Sequence, residues 1–467
     1  MASDKIFATS KSSCLPIWNQ WLTMLLRFIV GGVFVFSGFV KAIDPWGTIY
    51  KVNDYMAVLQ VVLPDSIVLC SVFTLFTFEF LLGVSFIFGC YRRLAPIGAA
   101  LMMLMMTPLT LWIAMDNPVS DCGCFGDALV ISHWQTFWKN VVLSAMVGWL
   151  VIYARRSRCF IIPTLQWLMV AVSTLFIVAV ALYGYIYQPL IDFRPYPIGE
   201  TLVSVDEDDD ARQLLFVYSK DGIKKEFTID NLPEGDEWEF IERKEVSSVG
   251  AQSGGALKSL RIYDSDDEDV TESVILDEGR QVILFYSSLN EVSIASTYQI
   301  NSLYAYCQQQ GIDMISVAAA TPEEIATWED LSLSSYDIYI AEDTSIKEVV
   351  RGNPAVVYLE DGKVRFKSSL RAIDIADFLL EKTSSDPMSF AKDNNVILLR
   401  LILIYLFAMA GVVMLSHIPM AVRYVRRRIG ANSLIVEEEQ ETAESEISKQ
   451  NSVVSETPEI KTQKSQE

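Results

Sequence analysis

Two cysteines separated by one glycine are the residues of this chain best suited to chemistry: Asp121-Cys122-Gly123-Cys124-Phe125-Gly126-Asp127. A Cys-Gly-Cys segment can close into a very small disulfide ring, the glycine supplying the backbone freedom that closure requires. Such a ring is strained, and strained disulfides are the more oxidising, exchange-prone ones. A few residues on, Ser132-x-x-Gln135 reads as a capping box. The pair therefore sits near a helix N-terminus, whose positive end favours thiolate, while Asp121 and Asp127 work the other way. Two readings stand beside redox exchange. The pair could hold a soft ion such as Cu(I), helped by Met102, Met103, Met105, Met106 and His133, or it could be a structural staple or two unpaired thiols. The remaining cysteines, Cys14, Cys70, Cys90, Cys159 and Cys307, are scattered. Cys70 is a candidate third thiol, with packing as the plainer reading, and Cys307 has the usual role of a small buried side chain. His133 and His417 are the only histidines, which argues against a His-based metal site, and no residue is assigned as a metal ligand.

Two charges sit inside apolar runs. At 1.5 Å per residue, Arg27 lies about 9 Å and Glu79 about 16 Å from one membrane face. An extended arginine bridges that difference, so an intramembrane Arg27–Glu79 pair is expected. The alternative is a snorkelling Arg27 and a protonated Glu79.

Six apolar runs must position these groups: 21–43, 66–90, 94–115, 132–154, 160–183 and 396–417. Each suits a hydrocarbon core, which takes about 20 residues. The first is read as a retained span, since no small-residue cleavage pattern follows it. Mean hydropathy is +0.29, yet the formal charge is −21. Residues 1–184 and 394–428 hold 8 acidic and 16 basic side chains, whereas 185–393 hold 41 acidic and 18 basic. That split excludes a simple soluble enzyme, and the acidic part argues against nucleic-acid binding. The clusters Lys5/Lys11, Arg92/Arg93, Arg155/Arg156/Arg158 and Arg423/Arg426–Arg428 all fall on one side if every run crosses. Both termini are then cytoplasmic, and 44–65, 116–131 and 184–395 face outward. Lys41 and Lys51 on that outer side are offset by Asp44, Asp54 and Asp65.

The outer segment reads as two parts. Up to 278, short β-like runs at 214–218, 225–229, 238–243 and 259–263 alternate with turn signals and acidic runs that read as solvated loops. From 281 the pattern is strand 282–286, helix 291–309, strand 313–318, helix 322–331, strand 338–341, a strand from 352 to 359, a hairpin at Asp361-Gly362, strand 364–367 and helix 371–380. This order resembles a thioredoxin fold, a resemblance that makes Pro354 the candidate cis-proline facing a redox dithiol. The dithiol position reads Tyr286-Ser287-Ser288-Leu289, without Cys-x-x-Cys. A binding or scaffolding module is therefore expected, since exchange needs thiolates. From Ile435 the polar, acidic tail is expected to be disordered.

In the first two spans, Arg27-x3-Gly31-x2-Phe34-x2-Ser37-Gly38-x2-Lys41 and Asp44-Pro45 are followed by Glu79, Gly83, Gly89 and Arg92-Arg93-Leu94-Ala95. This resembles the DoxX family of four-helix membrane proteins, and the Asp-Cys-Gly-Cys-Phe-Gly loop resembles its MauE branch. That branch is named for methylamine utilisation, with a proposed role in forming or maintaining disulfides of periplasmic subunits. Asp192-Phe193-Arg194-Pro195-Tyr196 is similar to a phrase in longer members of the group. The resemblance implies Cys122 and Cys124 as the redox pair, and Arg27, Lys41 and Glu79 as bundle-signature residues.

The expected fold is a mainly α-helical multi-pass membrane protein: a four-helix DoxX/MauE-like bundle plus two further spans, a periplasmic β-rich segment and an α/β thioredoxin-like domain. The expected divisions are a cytoplasmic N-terminus 1–20, bundle 21–158, fifth span 159–184, β-rich segment 185–278, thioredoxin-like domain 279–383, sixth span 395–417 and tail 418–467. The implied function is thiol–disulfide exchange at the periplasmic face of a bacterial inner membrane. Its expected partners are membrane lipid and an exported or periplasmic protein. No cofactor is evident. Aromatic residues in the spans could line a quinone pocket, with lipid contact and packing as their ordinary role.

Overall fold

The computed structural model describes residues 17–116, 123–154, 159–203, 212–220, 223–228, 239–247, 260–373, 393–418 and Val422. Cys14, Cys122, most of the closing helix expected at 371–380, and the tail lie outside the described residues.

Among the described residues, six helices are long and apolar enough to cross a membrane: α1 (Ile17–Ile43), α3 (Asp65–Phe88), α4 (Leu94–Asp116), α5 (His133–Tyr153), α6 (Gln166–Ile186) and α11 (Asn394–Ile418). The chain is a multi-pass membrane protein. Its outward faces carry exposed apolar side chains such as Leu104, Leu175 and Phe407, which suit lipid rather than water. An extra helix, α2 (Pro45–Val58), follows the first span. Asp44 caps it by accepting from the Gly47 backbone N–H at 3.0 Å, and Pro45 occupies its first turn. The capping box expected at Ser132 and Gln135 is present and opens α5.

Small residues set how the first two spans meet. A Cβ on Gly38 would come within 2.7 Å of the Phe76 carbonyl and the Phe80 N, and one on Gly83 within 2.7 Å of the Gly31 carbonyl. The backbones of α1 and α3 thus touch directly, as small residues allow in lipid. Around this pair, Val30, Phe34, Leu82, Phe86, Ala99 and Val147 form one core with α4 and α5. A second core joins Phe76 and Phe80 to Phe176, Ile177, Met409 and Val412 of α6 and α11.

Between α6 and α11 lie two sheets. The smaller, in order β2-β1-β3, is antiparallel and comprises β1 (Arg212–Lys220), β2 (Ile223–Thr228) and β3 (Glu239–Ser247). The larger is mixed, in order β6-β5-β4-β7-β8. Its strands are β4 (Arg280–Tyr286), β5 (Asp313–Ala318), β6 (Ile338–Ile340), β7 (Ala355–Glu360) and β8 (Lys363–Ser369). β4, β5 and β6 are parallel; β7 and β8 add antiparallel, joined at Asp361-Gly362, where both residues take positive φ.

Alternation along β4 feeds two cores. Val282, Leu284 and Tyr286 meet Leu303 and Cys307 of α8 (Thr297–Gln310) and Trp328 of α9 (Pro322–Ser332). Ile283 and Phe285 face Ile346 and Val349 of α10 (Asp343–Val349), together with Leu202, Leu260 and Ile262. Gly199 and Leu202 bond to the β8 hairpin and Tyr263 to Ile340, so this core reaches upstream of the boundary expected at 278. The short helix α7 (Thr271–Val274) lies in that added segment.

Candidate functional site

Lys41, in the last turn of α1, is 4% exposed, and Glu79 of α3 is 2% exposed. Lys41 Nζ donates to Glu79 Oε1 at 2.7 Å and to Oε2 at 2.9 Å. Ser37, one turn before Lys41, has its Oγ 2.9 Å from Glu79 Oε2 and 2.8 Å from the Cys124 carbonyl oxygen. The hydroxyl therefore chooses between the buried carboxylate and the backbone of the cysteine loop. Isolated charges are costly in this setting, and the mutual pairing is what lets them persist.

The expected Arg27–Glu79 pair is not formed. Arg27 Nε donates to the Phe86 carbonyl at 2.9 Å and its Nη2 to the Ile87 carbonyl at 3.3 Å. The glycine contacts fix a stagger that places Arg27 level with the last turn of α3. From there Glu79 is seven or eight residues away, roughly 11 Å along the helix. Lys41, placed by sequence at the outer margin, is the residue brought level with the carboxylate, because α3 continues well past the end of α1.

Above this cluster the loop carries Gly123 at φ +62° and Gly126 at φ +54°, where a side chain would be strained. Cys124 is half-buried. Phe125 is buried, edge-on to Phe36 at 5.4 Å, with Lys139 Nζ 3.9 Å over its ring. Lys139, in the second turn of α5, thus covers the loop. A cavity of about 50 Å³ lies below, lined by Ser37, Lys41, Glu79, Met102, Met103, Met106, Cys124, Phe125, Lys139 and Asn140 among others. It has room for water but not for a quinone ring. Met105 points outward, 68% exposed. Cys70 lies on an exposed face of α3 and does not line the cavity. Cys307 is fully buried in the sheet domain, which pushes its thiol up to about 12.

The outer domain closes the other side of the loop. Arg351, between α10 and β7, is 5% exposed. Its Nε donates to Asp44 Oδ2 at 2.8 Å and its Nη2 to Asp127 Oδ2 at 2.6 Å. Burial alone would lower its pKa, but the two carboxylates hold it above the ordinary value. Tyr50 of α2 lies 5.5 Å beneath the guanidinium, and burial lifts its phenol to about 12. Three residues on, the Asn353–Pro354 peptide is cis. The Asn353 amide donates to the Ser288 carbonyl at 2.6 Å, two residues after the arginine that reaches Asp127.

A second anchor follows α6. Arg194 and Lys367 both bond Asp192, at 2.6 and 2.9 Å. Burial would raise this carboxyl, yet the two cations pull it to about 2. Burial and the Arg194 charge bring the Lys367 ammonium down to about 7 although Asp192 works the other way. Asp192, facing two cations, is the member that stays charged.

Sequence reading missed Arg351 and its two carboxylate partners as a unit. The signal was thin: Asp44-Pro45 as a helix start, and an arginine just before the candidate cis-proline. Among the described residues, no group of three or more His, Cys, Asp or Glu is placed to hold a metal ion. No curated protein matches the chain. Residues 213–247 match a domain of unknown function, DUF8463. Residues 19–153, which carry Ser37, Lys41, Glu79 and the cysteine loop, match the family model described as methylamine utilisation protein MauE.

Proposed function

We propose that this chain is a thiol–disulfide exchange component of a bacterial inner membrane, with Cys122 and Cys124 as its redox pair. The observation that carries the reading is the double grip on the cysteine loop. Ser37, itself bonded to the Lys41–Glu79 pair, holds the Cys124 carbonyl from within the bundle, and Arg351 holds Asp127 from the outer domain. A loop that must present strained sulfurs in one orientation benefits from such positioning.

In the oxidising direction, a partner thiolate attacks one loop sulfur and a second partner thiol resolves the mixed disulfide. The partner gains a disulfide, and two electrons and two protons remain on Cys122 and Cys124 as a dithiol. The outer domain is thioredoxin-like on this reading, supported by the unit β4-α8-β5 followed by the β7-β8 hairpin. Having no dithiol of its own, it positions an exported partner near the loop. The DoxX relationship, the periplasmic placement of 185–393 and the cytoplasmic termini belong to the same proposal, supported by the one-sided arginine clusters.

A second reading is favoured by one observation. Met102, Met103 and Met106 line the cavity with Cys124, a soft-donor set suited to Cu(I). Lys41, Lys139 and Glu79 together leave that lining with one net positive charge, which opposes a cation there and ranks exchange first. Metal analysis of purified protein separates the two. The direct test is partner trapping in cells: Cys122→Ser and Cys124→Ser are each expected to abolish productive exchange. Unchanged partner oxidation in both, with loss of function on deleting 188–393, would leave a scaffold instead.

A further inference from the structure

The opposite end of the bundle holds a second thiol pair. Cys90 follows α3 and Cys159 precedes α6, 69 positions apart in sequence, yet the fold brings the two thiols close enough to shift each other's protonation. The backbone holds them there: Phe160 N–H donates to the Phe88 carbonyl at 3.0 Å. Gln166 ties both segments, accepting from Tyr91 N–H at 3.1 Å and donating to Cys159 Sγ at 3.5 Å. Cys90 is 1% exposed and Cys159 half-exposed, so an incoming reagent meets Cys159 first. An open cleft of about 520 Å³ begins at this point, lined by Tyr91, Arg92, Arg93, Leu94, Pro163 and Gln166.

We propose that Cys159 and Cys90 form a second thiol–disulfide exchange site, with Cys159 as the attacking sulfur, Cys90 as the resolving one, and a small disulfide bearing carboxylates as substrate. The two arginines of the cleft select that class, since guanidinium pairs with carboxylate bidentately. This site lies away from the cysteine loop and does not rest on the loop's proposed role.

The protonation pattern agrees with these roles. Hydrogen bonding to Cys90 lowers the Cys159 thiol to about 6, burial opposing it and Arg92 and Arg27 helping. In its thiol form Cys159 donates to the Ile161 carbonyl at 2.8 Å, and losing the proton gives up that bond. The Gln166 amide still donates to the sulfur. Donation to Cys159, together with burial, keeps the proton on Cys90 until the second step.

The reaction balances without a further reagent. The Cys159 thiolate attacks the substrate S–S bond, forming a mixed disulfide and releasing one thiolate. Cys90, losing its proton, attacks the Cys159 sulfur and releases the second. Two electrons pass from the cysteine pair to the substrate, and the two cysteine protons end on the released thiols.

The test uses the full-length chain in detergent, carrying Cys122→Ser and Cys124→Ser so that the loop is silent. Incubation with oxidised glutathione and mass mapping is expected to give a Cys90–Cys159 disulfide with release of reduced glutathione. Adding Cys90→Ser is expected to stop the reaction at a glutathione adduct on Cys159. Arg93→Gln, at the cleft rim, is expected to slow the reaction with oxidised glutathione about three-fold at low salt. The rate with uncharged hydroxyethyl disulfide should not change. An unmodified Cys159, an adduct that Cys90 never displaces, or equal slowing with both disulfides would each overturn the proposal.

Discussion

Two buried cations sit on the same helix and meet opposite fates. Lys41, near one end of α1, faces a carboxylate and a hydroxyl; Arg27, near the other, faces the carbonyls that end α3. A guanidinium with several donors suits the orphan carbonyls of a helix C-terminus, where the macrodipole is negative. That is a cap, and it requires no buried anion. The lysine end is different: its charge is matched by another charge, and Ser37 relays the pair to the Cys124 backbone. A bundle that needed only stability could have capped both ends. The difference marks the Lys41 end as the place where the membrane part has been shaped around a loop.

Breaking each end should therefore cost different amounts. Lys41→Met strands the Glu79 carboxylate and should destabilise the bundle by about 3–5 kcal/mol, with Lys41→Met/Glu79→Met milder than either single change. Thermal unfolding in detergent reads both, and an additive double variant would contradict the pairing. Arg351→Met leaves Asp44 and Asp127 facing each other; because both carboxylates keep some solvent, about 2–3 kcal/mol is expected. Faster alkylation of Cys124 should accompany it, and Arg351→Lys should not restore the parent rate, a lysine being unable to fork between two carboxylates.

The Asp192 anchor gives a pH signature. Its folded pKa, about 2, lies below the unfolded value near 3.9, so its contribution is complete above about pH 4. That contribution, about 2 kcal/mol, is lost as pH falls from about 4 to about 2. Urea midpoints of parent and Asp192→Asn should converge over that window, and a constant gap would contradict the anchor. The smallest effect belongs to the cap: Arg27→Met should cost about 1–2 kcal/mol, since it removes hydrogen bonds to carbonyls rather than the partner of a charge, and the Phe86 carbonyl keeps the Gly89 N–H. A loss equal to that of Lys41→Met would erase the distinction between the two ends.

Much of this was legible in the residues. Apolar run lengths located the six spans, the Ser132–Gln135 box located the start of α5, and short apolar runs set between helical stretches located the strands of the mixed sheet. Helix α10 escaped because a seven-residue element burying three side chains carries little periodicity. Helix α2 was missed although Asp44-Pro45 is a start signal, because 44–65 was read as a loop. The Arg27–Glu79 pairing failed for a different reason. Depth was counted from the ends of apolar runs, whereas the glycine contacts stagger α1 against α3, a quantity that neither helix contains alone. Arg351 was hidden for the same reason: its partners lie more than 220 residues earlier, and only the folded chain brings them together.

The central claim is that the loop at the Lys41 end is a working redox pair. Alkylating free thiols in intact cells over a series of imposed potentials, then mass-mapping the peptide that holds Cys122 and Cys124, tests it directly. Reversible titration between about −120 and −250 mV, where exchange catalysts lie, is the predicted result. A pair that stays oxidised below about −300 mV would be a structural staple and would contradict the account.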